Sequence, residues 1–171
     1  MLFGDVRGFS KLEEAQIKPF VAHVLTPLAD SLRALPVQPE EVETWGDGLY
    51  IVYDDVAGAA AGALALLRRF ADIDLEAAGL PAHLALRLGG HAGPVTSMID
   101  PFMGTPNFFG TQVTIAARIE PVALPGSLYV SEPFAALLGL SAPGDYRTDY
   151  VGQMELAKKF GHMRLFAVSE T

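Results

Sequence analysis

The alternation of strand-like and helix-like segments restricts the fold of this chain more than any other property of its sequence. Short apolar runs bounded by turn-forming residues predict four strands, at residues 1–5, 41–45, 49–53 and 83–91. Longer helical patterns over residues 10–35 and 56–73 separate these strands into the order β-α-β-β-α-β. That is the order of a split βαβ unit. We therefore predict an α+β, ferredoxin-like fold in which a mostly antiparallel sheet is flanked by helices.

Cap and turn residues set the expected boundaries of these elements. Ser10, with Glu13 three residues later, predicts a capping box at the start of the first helix. That helix should run to about Leu35, with a bend near Pro27. The Gly- and Pro-containing segment 94–109 is expected to be a loop. The remaining predicted elements are helices at 111–119 and 132–138 and strands at 127–131, 150–157 and 164–168.

The composition favours one folded domain over residues 1–171 and excludes several classes of partner. Hydrophobic residues make up 50% of the chain, which is enough for a core. The net charge of −8 argues against a nucleic-acid partner, because phosphate binding needs clustered Lys and Arg. The chain has no cysteine, which excludes a disulfide framework and fits a cytoplasmic location. Its longest apolar run, 56–67, is shorter than the ~20 residues that cross a bilayer, so no membrane association is expected.

Two predicted strand ends carry an acidic residue beside glycines. Asp5 ends the first strand and precedes the turn Gly8, Phe9, Ser10, whose backbone N–H groups are suited to bind a polyphosphate. Asp47 lies at the tip of the hairpin between the second and third strands. If this hairpin pairs with the first strand, the two carboxylates can share two divalent cations, as in phosphoryl transfer. Either segment alone is more commonly a helix cap or a plain turn.

Five segments, in this order, resemble the class III adenylate and guanylate cyclases over nearly the whole chain. The first two are similar to that family's metal-binding motifs, the third to its central strand and turn, and the fourth to its dimer-site helix. The segments are residues 3–10 (FGDVRGFS), 43–47 (ETWGD), 87–95 (RLGGHAGPV), 109–120 (FGTQVTIAARIE) and 125–131 (PGSLYVS).

The resemblance implies a nucleotide cyclase, which converts a nucleoside triphosphate to a 3′,5′-cyclic nucleotide and pyrophosphate. It implies a head-to-tail homodimer with active sites in the interface and two Mg²⁺ or Mn²⁺ ions per site. One chain would supply the metal-binding residues Asp5, Val6 and Asp47 and the phosphate-binding turn of Gly8, Phe9 and Ser10.

The partner chain would complete each site. The resemblance places the base-binding role on Glu43 and Asn107 and the transition-state role on Arg118, with Thr114 where the family usually has Asn. A second transition-state residue of the family, a Lys, falls on Phe160 here. Either Lys158 or Lys159 substitutes for it, or the chain is a catalytically degenerate nucleotide-binding module.

The base-binding residues favour a keto-imide base over adenine. A carboxylate such as Glu43 only accepts hydrogen bonds, and it suits the ring N–H of guanine or uracil, while Asn107 can donate to the adjacent carbonyl. Tyr50, together with Trp45, would give the pocket a stacking face, although core packing explains both residues equally well. The stretch from Thr44 to Tyr50 also resembles bacterial pyrimidine cyclases of the antiphage Pycsar systems. We therefore expect UTP slightly ahead of GTP, with cUMP as an antiviral messenger.

Overall fold

Nine strands and five α-helices make up the structure, a computed structural model that describes residues 1–171. The strands are β1 (Leu2–Arg7), β2 (Glu41–Trp45), β3 (Gly48–Val52), β4 (Ala85–Gly90), β5 (Thr96–Ile99), β6 (Pro106–Phe109), β7 (Leu128–Ser131), β8 (Tyr146–Leu156) and β9 (Gly161–Glu170). The helices are α1 (Glu14–Phe20), α2 (Thr26–Arg33), α3 (Val56–Ala71), α4 (Thr111–Ile119) and α5 (Glu132–Ser141). No helix is both long and apolar enough to span a bilayer.

Seven strands form one sheet in the order β2-β3-β1-β4-β7-β9-β8. All neighbours pair antiparallel except β4 and β7, which are parallel. Strand β1 lies between β3, where Gly4 faces Leu49, and β4, where Asp5 faces Arg87. The predicted α+β fold with a mostly antiparallel sheet is therefore confirmed.

Strand periodicity divides the sheet into two faces with different layers. Leu2 and Val6 of β1 belong to a large core packed against α1, α2, α3 and α5. Because side chains alternate along a strand, Phe3 and Asp5 lie on the opposite face. There Phe3 packs near Ala116 of α4. The face that carries Asp5 is thus covered only in part, by α4 and its neighbours.

The start of the first helix differs from the prediction. Ser10 is not an N-cap, since residues Phe9–Lys11 form a single 3₁₀ turn after Gly8, which has a φ of 98°. The capping box is present three residues later, between Glu13 and Gln16, and α1 begins at Glu14. The bend expected near Pro27 takes the form of a π-helical turn at Val21–Leu25. A proline in the next turn lacks an N–H for the regular α-helical bond, which accounts for the change of pitch.

The predicted loop at 94–109 contains a β-hairpin instead. Strands β5 and β6 pair with each other in a separate two-stranded sheet, with Met98 opposite Asn107. All four residues of β5 are exposed, so the segment lacks the buried-exposed alternation by which strands are recognised in sequences. The closing strands β8 and β9 and helix α5 also extend beyond their expected ends.

Candidate active site

The two acidic residues predicted to bind metal lie side by side. Pairing of β3 with β1 brings the hairpin tip against the end of β1, and the Asp47 Oδ2 atom accepts a hydrogen bond of 3.3 Å from the Val6 N–H. Burial, a hydrogen bond with Asp5 and the negative charge of Asp5 raise the pKa of Asp47 to about 6. Two neighbouring carboxylates in this state favour binding of a cation, which offsets their mutual repulsion.

This donor set fits magnesium or manganese. No group of three His, Cys, Asp or Glu side chains is arranged to hold an ion. Mg²⁺ at phosphoryl-transfer sites commonly takes only one or two carboxylates and completes its octahedron with water and substrate phosphates. Val6 has no donor in its side chain, so its predicted role could be filled only by its carbonyl oxygen.

Arg87 and Glu120 join this site, although neither residue was predicted to have a role. Arg87 Nη2 donates to Asp5 Oδ2 at 3.1 Å, and Arg87 Nε donates to Glu120 Oε1 at 2.5 Å. Burial raises the pKa of Glu120 above its ordinary value, and the charge of Arg87 offsets only part of this rise. A signal was available: Arg87 is the only charged residue of β4, on the face opposite to Leu86 and Leu88.

The glycine turn predicted to bind phosphates borders the same cavity. This cavity has a volume of about 670 Å³, and its lining includes Asp5, Asp47, Gly8, Ser10 and Arg87. The hydrogen bonds within the turn are donated by Lys11 and Leu12. The N–H groups of Gly8, Phe9 and Ser10 are therefore not needed to hold the turn together.

The two predicted base-binding residues are in contact within one chain. Asn107 Nδ2 donates to Glu43 Oε1 at 2.8 Å, while Asn107 Oδ1 accepts from the Phe108 N–H at 2.7 Å. Burial, followed by the charges of Glu41 and Asp100, raises the pKa of Glu43. The backbone N–H groups of Phe102 and Met103, and then a hydrogen bond from Asn107, lower the pKa of Asp100. The Asn107 amide is therefore shared between Glu43 and Asp100, and the second Glu43 oxygen is the acceptor that remains.

Tyr50 is placed differently from its prediction as a base-binding residue. It is only 2% exposed, and its ring stacks on Phe3 with the centroids 4.8 Å apart. Its hydroxyl donates to the Phe108 carbonyl at 3.3 Å. Because the ring is stacked on Phe3 and almost fully buried, Tyr50 has no free face for a nucleotide base. Trp45, 61% exposed and parallel to Tyr50, is the aromatic side chain that remains accessible.

Thr114 and Arg118 lie one turn apart on α4, and neither lines the carboxylate cavity. Thr114 is exposed, while the Nε atom of Arg118 is buried without a hydrogen-bond partner. Glu43 and Asn107 are likewise outside that cavity. Within one chain, the structure thus brings together the metal-binding residues and, separately, the base-binding pair, but it does not unite the two sets with Arg118.

The two lysines considered as substitutes sit in the turn between β8 and β9. Lys158 and Lys159 have φ angles of 59° and 56°, and they are the only non-glycine residues with positive φ. Phe160, at the position expected for Lys, is 47% exposed.

The sequence was compared with protein families and with curated proteins. The family model for the adenylate and guanylate cyclase catalytic domain matches residues 1–170. The pH-sensitive adenylate cyclase MT1302 of Mycobacterium tuberculosis is 29% identical over 168 residues, which are 97% of this chain but only 39% of that protein.

Solved structures of cyclases share the fold. The adenylyl cyclase CyaB from P. aeruginosa superposes with a TM-score of 0.80 at 16% identity, covering 99% of this chain and 92% of that one. The guanylate cyclase domain of RhGC from Catenaria anguillulae, in complex with GTP, gives 0.78 at 21% identity, with coverage of 99% and 94%.

Proposed function

This chain belongs to the family of adenylate and guanylate cyclase catalytic domains, and we propose that it closes a nucleoside triphosphate into a 3′,5′-cyclic monophosphate. The observation that carries the proposal is the pair Asp5 and Asp47, held together beside the glycine turn, with the pKa of Asp47 raised to about 6. A pair of carboxylates in this state favours a divalent cation. A polyphosphate, with its own negative charge, can approach them only when cations are bound.

The reaction forms a bond between the ribose 3′-oxygen and the α-phosphorus, breaks the bond to the β-phosphate, and releases a proton and pyrophosphate. Divalent ions held by Asp5 and Asp47 would stabilise the attacking and departing oxygens. The turn of Gly8, Phe9 and Ser10 offers its N–H groups to the phosphates, and Arg87 adds a positive charge beside them. These residues orient the triphosphate for in-line attack.

A head-to-tail homodimer would bring the remaining groups to this cavity. Arg118 and Glu43 lie outside the carboxylate cavity of their own chain, so a second copy must supply them if they act on the same nucleotide. The hairpins that carry the base-binding pair expose large apolar side chains, as an interface would require. These are Trp45, Met98, Ile99, Phe102 and Met103.

Complementation between variants tests the shared site. Asp47→Asn and Arg118→Ala chains should each be inactive, but each mixed dimer keeps one intact site. Random pairing should restore about a quarter of the wild-type activity. Mixing Asp47→Asn with Asp5→Asn is the matched control, because both changes lie in the same half of the site and no intact site can form. Failure of the first mixture to recover, or recovery in both mixtures, would rule out the shared site.

The base is expected to be uracil or guanine, with UTP slightly favoured. The free acceptor on Glu43 matches the N3–H of uracil or the N1–H of guanine, and an Asn107 N–H, released from Asp100, would match the adjacent O4 or O6. Adenine presents neither group in that order. The exposed Trp45 leaves one stacking face, which also suits a pyrimidine. With UTP, the product would be cUMP, a messenger of the antiphage type.

A panel of the four triphosphates with Mn²⁺, read by mass spectrometry of the products, decides the base. We expect cUMP or cGMP as the main product, and cAMP as the main product would refute the hydrogen-bond argument. The double variant Glu43→Lys, Asn107→Asp carries the residues more usual in adenine-specific members of the family, so it should shift activity toward ATP.

A second candidate function is a nucleotide-binding regulatory module without turnover. It is favoured by Thr114 and Phe160, which replace two groups that usually stabilise the transition state. Calorimetric binding of UTP or GTP without any cyclic product, under Mg²⁺ and Mn²⁺ alike, would support this function over catalysis. In the catalytic case, Lys158 or Lys159 supplies the missing positive charge.

A further inference from the structure

One end of the carboxylate cavity is basic. Arg7, Lys11 and His83 all line it, and all three side chains are exposed. None of them takes part in an ion pair within the chain. The chain has only 12 Lys and Arg residues and a net charge of −8, so unpaired cationic groups gathered in one cavity call for an anionic ligand.

His83 lies just before the start of β4, at the end of the cavity away from the carboxylates. Arg7 faces Ala85 and Asp5 faces Arg87 across β1 and β4. His83 precedes Ala85 by two residues, in a turn closed by a hydrogen bond of 3.2 Å from the Leu84 N–H to the Pro81 carbonyl. The small side chain of Ala85 lies between His83 and Arg87 along the chain, and all three residues line the cavity.

Contact with the glycine turn fixes the position of the imidazole. A Cβ atom added to Gly8 would lie 3.0 Å from Cδ2 and 3.2 Å from Nε2 of His83. Gly8 also has a φ of 98°, which favours glycine. Glycine at position 8 thus lets the imidazole rest directly against the turn that lines the cavity.

We propose that His83, assisted by Lys11, binds the terminal phosphate of the nucleoside triphosphate and holds pyrophosphate after cyclisation. This inference rests on the proposed function. The carboxylate end of the cavity must hold the reacting phosphorus, since the cations bind there, so the phosphate tail extends along the turn toward the basic end. An imidazole donates through a ring N–H whether or not it is protonated, and the Lys11 ammonium adds three donors.

Calorimetric binding of inorganic tripolyphosphate and pyrophosphate, in the presence of Mn²⁺, tests the subsite without requiring turnover. His83→Ala should weaken tripolyphosphate binding by about 10-fold, because a hydrogen bond to a charged group is lost. His83→Gln keeps an N–H donor and should bind more tightly than the Ala variant. His162→Ala is the matched control, since this exposed histidine lies on β9 outside the cavity.

A nucleoside 5′-monophosphate, which lacks the terminal phosphates, should bind equally well to all these variants. Lys11→Ala serves as a second variant and should weaken tripolyphosphate binding in the same direction. The subsite is refuted if the His83 and Lys11 variants bind tripolyphosphate as tightly as the wild type. It is also refuted if His162→Ala weakens tripolyphosphate binding as much as His83→Ala does. The same holds if the His83 and Lys11 variants lose monophosphate binding to the same extent as tripolyphosphate binding.

The same measurement separates this inference from the proposed function. Weaker tripolyphosphate binding by His83→Ala, in a protein that yields no cyclic product from any triphosphate, would support the subsite and overturn the cyclase. Cyclic product together with unchanged tripolyphosphate binding would support the cyclase and overturn the subsite.

Discussion

Replacement of Asp47 by Asn is expected to stabilise the metal-free protein at neutral pH while abolishing its response to metal. The folded state raises the pKa of Asp47 from 3.8 to about 6. Between these two values the folded protein binds more protons than the unfolded chain, so stability falls as the pH rises through that window. Above it, the folded protein carries the full cost of burying the Asp47 charge and of its repulsion from Asp5. Asparagine removes both costs and can still accept a hydrogen bond from the Val6 N–H.

The size of the effect follows from the same pKa. A rise from 3.8 to about 6 corresponds to about 3 kcal/mol if none of it is screened. Asp47 is only half-buried, so solvent screening should reduce this to about 1 kcal/mol. For a chain of this length that is a rise in Tm of about 2–4 °C.

Urea denaturation in EDTA at pH 4.5 and pH 7.5 measures the difference. Asp47→Asn should gain about 1 kcal/mol over the wild type at pH 7.5 and little at pH 4.5. With Mn²⁺ at a hundredfold excess over its Kd, the wild type should gain about 2.7 kcal/mol and the variant almost nothing. Asp145→Asn, an exposed carboxylate before β8, is the control. A variant less stable than the wild type at pH 7.5 would show that the Asp47 charge stabilises the fold, contrary to this reasoning.

Three other substitutions have defined outcomes. His91 is buried between Ser131 and Gln112, and burial lowers its pKa below 6.5. Its contribution to stability should therefore decrease as the pH drops below 6.5. His91→Ala should lower the free energy of unfolding by about 1–3 kcal/mol in chemical denaturation at pH 8. Lys158→Gly should raise the free energy of unfolding by about 1 kcal/mol by relieving its positive φ, yet lower kcat if this lysine acts in catalysis. Gly89→Ala should destabilise the fold by at least about 2 kcal/mol, since its Cβ would lie 2.3 Å from the backbone N of Glu120. A normal Tm for that variant would refute the close approach.

The proximity of Asp5 and Asp47 was predictable because local signals and sheet pairing agree. An acid at the end of a buried strand and an acid at a hairpin tip become neighbours as soon as the hairpin pairs with that strand. The β1–β3 register provides this pairing, and Asp47 reaches the Val6 N–H. The contact between Glu43 and Asn107 needed more than sequence, because it joins a hairpin of the main sheet to a second hairpin that was expected to be a loop.

The features that escaped prediction depend on long-range contacts or on solvent exposure. Tyr50 has the same residue type and the same strand position whether it faces a ligand or a core; only its stacking on Phe3 shows that it is buried. The bridge from Asp5 through Arg87 to Glu120 spans three elements that are far apart in sequence. By residue preference Ser10 is the better N-cap, yet the cap is Glu13, because Ser10 lies inside the 3₁₀ turn that follows Gly8.

The turn between β8 and β9 has a strained backbone at Lys158 and Lys159, whose φ angles are positive. The four residues Ala157–Phe160 connect β8 to β9, because Leu156 pairs with Gly161. Turn positions with positive φ are normally occupied by Gly or Asn, because other residues pay about 1–2 kcal/mol each for that conformation. Here the two positive-φ positions are Lys158 and Lys159, in a chain that has few lysines. Strain of this kind persists where the surrounding structure over-determines it, and it concentrates at functional sites. The turn lies next to α4, the helix that carries Arg118, whose Nε is buried without a hydrogen-bond partner. We therefore propose that the strain at Lys158 and Lys159 and the absence of a lysine at Phe160 have one cause, a shift of the cationic group by one or two positions along the turn.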